Sequence, residues 1–407
     1  MKYYDIRFSI DDFDFSTTLN GVTITSSTSL PYQQFSITFG LDSVDASLAK
    51  LVDYDKIKLE IDLVEDALSP PIETVSFDLI ALDFNYDLAD IDDKSETFGM
   101  TETTSVTLNA ISKQSFINMN TTVNKVFKYE EGPYTGKQIL ETISEAFSLN
   151  IDLSTESLSE NSAEQFVLPP MTYLRAIRYV TQYMGIHKDS PTIAIARAEE
   201  SDTIFIENLN ANIDKTPEMK IYYVPNGKDN PDVSKEGVVG IDVMFVTSTV
   251  GTEYQENEVL MQQGYNRLTI LKPDNEFFKE NISNYETVVN EKGLKSSKYE
   301  GETTANAGLK SRTRFDKNYI STLSEKEVDR TFLRSLVNLN RIQLGFSGRF
   351  SLKKLMKVGR AMEFKPESLK YSLYQGKYIM GYSEIALSPE SSGYFSSAAL
   401  IKLFRGV

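Results

Sequence analysis

Apolar and polar residues alternate along roughly the first 115 positions with the period of two that is typical of β-strands. The alternating apolar sets are Tyr4, Ile6, Phe8 and Ile10; Phe35, Ile37, Phe39 and Leu41; and Ile57, Leu59, Ile61 and Leu63. Two further strand-like runs are "ETVSFDLIALDFNYDL" and "SVTLNAI". Successive alternating strands separated by turn residues predict a small antiparallel β-barrel or sandwich over residues 1–118.

The spacing becomes helical after Gly136. One predicted helix has the stripe Ile139, Ile143, Ala146 and Phe147, and a second, beginning at about Pro170, has the stripe Tyr173, Ile177, Val180 and Met184. Prolines at its start and Gly185 beyond its end are typical helix boundaries. Strand-like runs follow in "TIAIARAE" and "DTIFIENL". Residues 119–215 are therefore predicted to form a small α/β domain.

Strand patterns return after residue 216, in "MKIYYVP", "VVGIDVMFVTST" and "NRLTILKP". Residues 290–313 contain few large apolar side chains and predict an exposed loop within a β-rich segment, 216–322, that partly completes the barrels. A helix is predicted from Ser324, which forms a capping-box pattern with Glu327; its stripe is Val328, Phe332, Leu336 and Leu339. Strands predicted in "GRFSLKKLMKVGRAMEF", "KYIMGYSEIAL" and "AALIKLFRG" complete a second barrel over 323–407. The predicted fold class is mixed, mainly β: two small antiparallel barrels and an α/β insert.

Composition excludes several chemistries. The chain has 407 residues, no cysteine and a single histidine, and its formal net charge is −16. Absence of cysteine removes disulfides, thiolate metal sites and cysteine nucleophiles. An acidic protein lacks the basic surface that wraps nucleic acid. The N-terminus has no apolar core of a signal peptide, and no window has the length of a membrane span.

Charge is distributed unevenly between the two ends. Residues 1–100 contain 20 acidic and 6 basic residues, whereas residues 341–407 contain 11 basic and 4 acidic ones. The opposite signs are explained either by two solvated surfaces or by docking of one end onto the other end of a neighbouring copy.

One stretch, "YEEGPYTGKQIL", has the order strand, glycine-rich turn, lysine and helix, which suggests a phosphate-binding loop. That motif needs four residues between its glycines and a Ser or Thr after the lysine. Here Gly132 and Gly136 enclose three residues, and Gln138 follows Lys137. We therefore predict a turn that leads into a helix, and no ATPase.

The remaining candidate sites are also weak. The acidic run around Asp90, Asp92, Asp93 and Glu96 departs from a calcium loop, because Lys94 and Ser95 occupy the fifth and sixth positions. His187 follows a predicted helix, where a solvated or capping histidine is expected rather than a catalytic base. The sequence therefore predicts no catalytic residues, no metal site and no cofactor.

Two segments resemble a known family. "EGPYTGKQILETISEAFSLNIDL" and "LPPMTYLRAIRYVTQYMGIHKDSPTIAIARAEESDTIFIENL" resemble the helical segments of phage tail hub proteins. The matching positions in the second helix are Tyr173, Leu174, Arg175, Ile177, Tyr183 and Gly185. The C-terminal run, with Gly345 to Phe350, Gly359, "MEF", "YIMGYSEIAL" and "AALIKLF", resembles the second barrel of that family. It comprises the baseplate hubs of contractile-tailed bacteriophages, the late control protein D family and the N-terminal part of type VI secretion spike proteins.

The resemblance implies a homotrimer in which two tube-protein-like barrels per chain form a pseudo-sixfold ring. Such a ring would join a hexameric tail tube to a trimeric spike, which the resemblance implies is a separate protein because this sequence ends at Val407, where fused relatives continue. Other implied partners are a tube-initiator protein, the tape measure and baseplate wedge proteins. DNA would pass through the lumen without specific binding, and acidic side chains are expected there. The implied location is the tail baseplate of a virion.

Two alternatives stay open. A tail-associated cell-wall hydrolase would use a pair of carboxylates. A hub of a non-contractile tail, a tailocin or a secretion system would share the same barrels.

Overall fold

A computed structural model provides the fold. It describes residues 3–11, 13–28, 30–42, 56–65, 69–87, 103–128, 130, 132–149, 151–153, 158, 162–187, 193–197, 204–208, 212, 215–223, 238–241, 243–248, 267–273, 280–290, 293–298, 312–315, 341–348, 350–366, 374–390 and 393–404.

The elements fall into three successive groups. The N-terminal strands are β1 Tyr3–Ile10, β2 Phe13–Asp14, β3 Leu19–Ser27, β4 Leu30–Asp42, β5 Ile57–Val64, β6 Glu73–Asp87 and β7 Thr103–Ser112. The insert contains α1 Lys113–Asn120, β8 Thr122–Phe127, β9 Tyr134–Thr135, α2 Gly136–Ala146, β10 Ile151–Leu153, β11 Ser162–Ala163, β12 Phe166–Thr172, α3 Tyr173–Tyr183, β13 Ile193–Arg197 and β14 Ile204–Asn208. The remaining elements are β15 Met219–Tyr223, β16 Val238–Ile241, β17 Val243–Ser248, β18 Arg267–Pro273, β19 Glu280–Asn290, β20 Gly293–Lys298, β21 Arg312–Phe315, β22 Arg341–Ser347, α4 Leu352–Met356, β23 Ala361–Pro366, β24 Gly376–Pro389 and β25 Phe395–Phe404.

The N-terminal strands and the last two strands form a closed circuit of antiparallel pairs. Its order is β24-β3-β4-β7-β6-β5-β1-β25, and β25 pairs with β24 again. The link between β1 and β25 is one residue pair, Tyr4 with Phe395. The N-terminal strands are thus completed by strands from the opposite end of the chain.

A second circuit uses the same C-terminal hairpin. On one side β24 pairs with β23, which is followed by β15 and β16; on the other side β25 pairs with β22, which is followed by β17. Because β16 and β17 are separated by residue 242 alone, chain continuity joins the two ends of this path. β15 runs parallel to both β16 and β23. The sequence predicted a purely antiparallel second barrel, and for this circuit that prediction is wrong. The mainly β fold with an α/β insert is confirmed. The likeness of the two circuits to tube-protein barrels stays a prediction, and so do the domain boundaries.

A single hydrophobic core cluster spans both circuits. It contains the alternating residues of β1, β4 and β5 that the sequence indicated, together with residues of β15, β22, β23, β24 and β25. Alternation explains this arrangement, because successive side chains of a strand point to opposite faces of the sheet. The insert has a separate core, built from α2, α3 and the strands around them.

Helix α3 agrees with its predicted stripe and differs in where it begins. Tyr173, Ile177, Val180 and Met184 are all buried, and Gly185 ends the helix with a left-handed φ of 68°. The helix begins at Tyr173 rather than Pro170. Both prolines lie in β12, whose register with β8 shifts between Leu168 and Met171. A proline lacks the N–H that a regular ladder needs, which explains the irregularity.

Five further predictions need correction or lie outside the described residues. In α2 the buried residues include Leu140 and Ser144, whereas Ala146 is exposed and Phe147 is half-buried. Within the predicted loop 290–313, residues 293–298 form β20, paired with β19. The run predicted as strand from 348 contains α4, which Ser351 caps by accepting a hydrogen bond from the Lys354 N–H. The predicted helix from Ser324 and the acidic run from Asp90 lie outside the described residues.

A buried contact between Tyr173 of α3 and Ser144 of α2 leads us to predict that the folded protein loses stability at high pH. Tyr173 is fully buried, and its hydroxyl lies 2.6 Å from Ser144 Oγ. Burial raises the pKa of Tyr173 from 10.0 to about 12, and the hydrogen bond with Ser144 offsets only part of that effect. Between those two values the unfolded chain has released a proton that the folded chain retains. The stabilising contribution is therefore complete below pH 10 and is lost as the pH rises towards 12.

We expect a loss of about 2–3 kcal/mol of unfolding free energy from Tyr173 over that interval. Urea unfolding curves recorded at several pH values would measure it, with Tyr173→Phe as the comparison. The variant should show a shallower decline with pH. An identical decline in both proteins would contradict the assignment to Tyr173.

Candidate assembly surfaces

The residues of the phosphate-loop-like stretch serve helix capping and close packing. Thr135 accepts a hydrogen bond from the Gln138 N–H at 3.3 Å, and the Gln138 side chain accepts one from the Thr135 N–H at 2.8 Å. This reciprocal pair is a capping box at the start of α2. Lys137 forms an ion pair with Glu141 one turn along the helix, at 3.5 Å. The predicted helix is confirmed, and the residues directly before it form the short strand β9 rather than a turn.

Both glycines of that stretch approach another segment of backbone. A Cβ atom on Gly136 would lie 2.5 Å from the carbonyl oxygen of Gly185, and one on Gly132 would lie 2.6 Å from that of Glu164. Both distances are shorter than any ordinary contact, so an added methyl group would displace backbone. Gly136 therefore allows the start of α2 to pack against the end of α3, and Gly132 allows the preceding segment to pack against the chain between β11 and β12.

His187 is buried, contrary to the solvated or capping position that the sequence predicted. Its exposed fraction is 0%, and its backbone forms an isolated β-bridge with Leu158. The chain returns to the insert core directly after Gly185, since Ile186 is buried as well. Within the described part of the chain, no group of three or more potential metal-ligating side chains comes together.

The outer surface of the first circuit has two halves of different chemistry. On β1, β5 and β6 the outward positions form what we call the charged face: Asp5, Arg7, Lys58, Glu60, Asp62 and Asp78. Arg7 forms ion pairs with Glu60 and with Asp62, the latter at 2.5 Å. Thr74 donates to the other oxygen of Asp62 at 2.5 Å. The hydrogen bond to Asp62 raises the pKa of Arg7.

On the outward side of β4, Tyr32 and Gln34 lie near its start; beyond them, β3, β4 and β7 carry small uncharged polar side chains at seven neighbouring outward positions. We call them the hydroxyl face: Thr23, Thr25, Ser36, Thr38, Ser105, Thr107 and Asn109. All are partly exposed, whereas Ile24, Ile37 and Val106, which lie between them on the three strands, are buried in the core. Thr38 and Thr107 face each other with hydroxyl oxygens 3.3 Å apart. At the border with β6, Asn109 donates a hydrogen bond to Asp83 at 2.6 Å.

The acidic and basic ends of the chain meet within one molecule. The Glu73 carboxylate accepts hydrogen bonds from Ser351 Oγ at 2.5 Å and from the Lys353 N–H at 3.0 Å, at the start of α4. Tyr4 is fully buried; its hydroxyl donates to the Phe350 carbonyl at 2.5 Å and accepts from the Phe350 N–H at 3.0 Å. These hydrogen bonds join the two ends of one chain without pairing their opposite charges, so docking of the charged ends between neighbouring copies stays a prediction.

Solved structures with this fold include phage tail proteins. The tail protein from Neisseria meningitidis MC58 is 8% identical, with a TM-score of 0.56, over 99% of this chain and 97% of that one. The 43 kDa tail protein of prophage MuSo2 from Shewanella oneidensis is 10% identical, with a TM-score of 0.55, over 99% of this chain and 98% of that one. Identities this low show a shared fold alone, and the expected likeness to phage tail proteins is confirmed at that level.

Sequence comparison adds no family assignment. A scan against protein-family models finds no match, and neither does a search of curated proteins. The helices within the described ranges do not have the length and apolar character needed to cross a membrane.

Proposed function

We propose that this chain is the structural hub of a phage-like contractile tail baseplate. It forms a homotrimeric ring with pseudo-sixfold symmetry, which joins a hexameric tail tube to a separate trimeric spike. The observation that supports this most is the pair of strand circuits built on one shared hairpin, in a chain with the fold of phage tail proteins. Two β units per chain give six in a trimer, which is the number a hexameric tube requires.

The shared hairpin suits a connector through which force passes. Both circuits pair with β24 and β25, so the same two strands run through both circuits. Such a chain would transmit force between tube and spike as one body. The proposed partners are the spike, the tube or its initiator, the tape measure and baseplate wedge proteins, and the proposed location is the tail of a virion.

The proposed function includes no catalytic activity. Two carboxylates that do come together in the described ranges, Glu60 and Asp62, share the guanidinium of Arg7. A hydrolase needs one carboxyl group to donate a proton and a second to act as base or nucleophile across a substrate cleft. Purified protein should leave peptidoglycan in a gel intact, and clearing would contradict a purely structural role.

Electron microscopy of the purified protein tests the proposal. We expect ring-shaped particles with an open centre, threefold symmetry and six similar lobes. Rings of another symmetry, or compact particles without a central opening, would contradict the hub.

A further inference from the structure

Charge is nearly absent from three adjacent strands of the first circuit. β3, β4 and β7 have 9, 13 and 10 residues, and Asp42, at the end of β4, is the one charged residue in their sequences. Across the chain 25% of residues are charged. β5, in the same circuit, has three charged residues among eight. The hydroxyl face is therefore a local feature of one half of the circuit.

The side chains of this face are poorly suited to binding a protein partner. Interface cores are rich in Tyr, Trp, Phe, Met and Arg, and a few such residues provide most of the binding energy. The hydroxyl face offers Thr, Ser and Asn side chains, which are short and keep hydrogen bonds with water at little cost. A flat hydrated surface of this kind makes weak contacts with whatever lies opposite it.

The same composition suits a surface that a polyanion passes. Lysine or arginine would hold phosphates by releasing counterions and would slow the strand. Carboxylates would repel phosphates but attract cations that bridge the two. Neutral hydroxyls do neither, because each contact with a phosphate replaces a contact with water of similar strength.

The insert lies beside one end of this face. β13 contacts β4. Tyr32, near the start of β4, is close enough to Arg178 of α3 for the positive charge of Arg178 to act on the pKa of the Tyr32 hydroxyl. Burial raises the pKa of Tyr32, and the charge of Arg178 offsets part of that effect. The hydroxyl face thus has the insert beside one end of β4. Along its β7 side it borders β6, which belongs to the charged face.

We propose that the hydroxyl face lines the central channel of the assembled ring, and that the charged face points away from it. The inference rests on the proposed trimer. It replaces the acidic lining expected from the sequence with a neutral one.

Single-cysteine variants test the placement, because the chain has no cysteine of its own. Ser36→Cys places a thiol on the hydroxyl face, and Ser76→Cys places one on β6 beside Glu60 of the charged face. Each variant is purified as the oligomer, whose mass is checked by light scattering. Each is then treated with N-ethylmaleimide and, separately, with a long polyethylene-glycol maleimide.

We expect the Ser36→Cys thiol in the oligomer to react with the small reagent and to lose nearly all reaction with the long one, which is excluded from a narrow channel. The Ser76→Cys thiol should react with both. A Ser36→Cys thiol open to both reagents would place the face outside, and one closed to both would place it in a contact between copies; either result overturns the inference while leaving the trimer intact. A protein that stays monomeric would overturn the proposed function together with the channel.

Discussion

Tyr4→Phe should lower the free energy of unfolding by about 2–4 kcal/mol, because it leaves the N–H and the carbonyl of Phe350 without the hydroxyl that satisfies both. Tyr4 is fully buried, so water cannot replace that hydroxyl without entering the core. The substitution keeps the ring, its packing and its tilted contact with the Phe350 ring at 6.5 Å. The loss therefore measures the polar link between the two ends of the chain.

Urea unfolding followed by circular dichroism provides the measurement. Tyr394→Phe is the matched control, since Tyr394 stacks on Tyr3 through its ring at 4.8 Å and phenylalanine preserves that contact. We expect the control to stay close to the parent protein. Equal midpoints for Tyr4→Phe and the control would show that the Tyr4 hydroxyl does not hold the N-terminal strand to the C-terminal segment.

Gly136→Ala should cost about 2–3 kcal/mol, because the new methyl group would meet the Gly185 carbonyl oxygen and push α2 away from α3. A Cβ there would also lie 3.2 Å from Met184 Cβ, so two neighbours must move. Alanine favours helices more than glycine does, which offsets part of the cost. The expected damage is confined to the insert, whose core is separate from that of the strand circuits.

Hydrogen exchange can localise the effect. Amides of α2 and α3 should exchange faster in Gly136→Ala, while those of β3, β4 and β5 keep their rates. Gly21→Ala serves as the control, because a Cβ on Gly21 has an ordinary 3.4 Å contact with the Leu387 carbonyl oxygen. Unchanged exchange in α2 and α3 would refute the packing role of Gly136.

The local elements could be predicted from the sequence because their patterns reflect one buried face. Alternation at Tyr4, Ile6 and Phe8 specified both the strand and its core side, and Tyr173, Ile177 and Val180 did the same for a helix. The prediction failed where a short pattern had two interpretations. Leu352, Leu355 and Met356 are buried on a short helix that the sequence presented as strand.

The long-range partners could not be predicted in this way. Nothing in the order of residues near Tyr4 indicates that its hydroxyl binds Phe350, or that β24 pairs with β3. Strand pairing between distant segments depends on the whole set of competing edges, which periodicity does not encode. The role of Gly136 could not be predicted either, since a glycine beside a lysine suggests phosphate binding. Only its close approach to Gly185 in the structure shows that it allows α2 to pack against α3.

The hub account is tested most directly by the mass of the protein in solution, measured by light scattering at low and at high salt. The account predicts a mass of three times 45.9 kDa. The measurement at high salt tests whether exposed charge pairs between copies contribute to that mass, because salt screens such pairs. A monomer at all protein concentrations and both salt conditions would contradict a chain that assembles into a ring by itself.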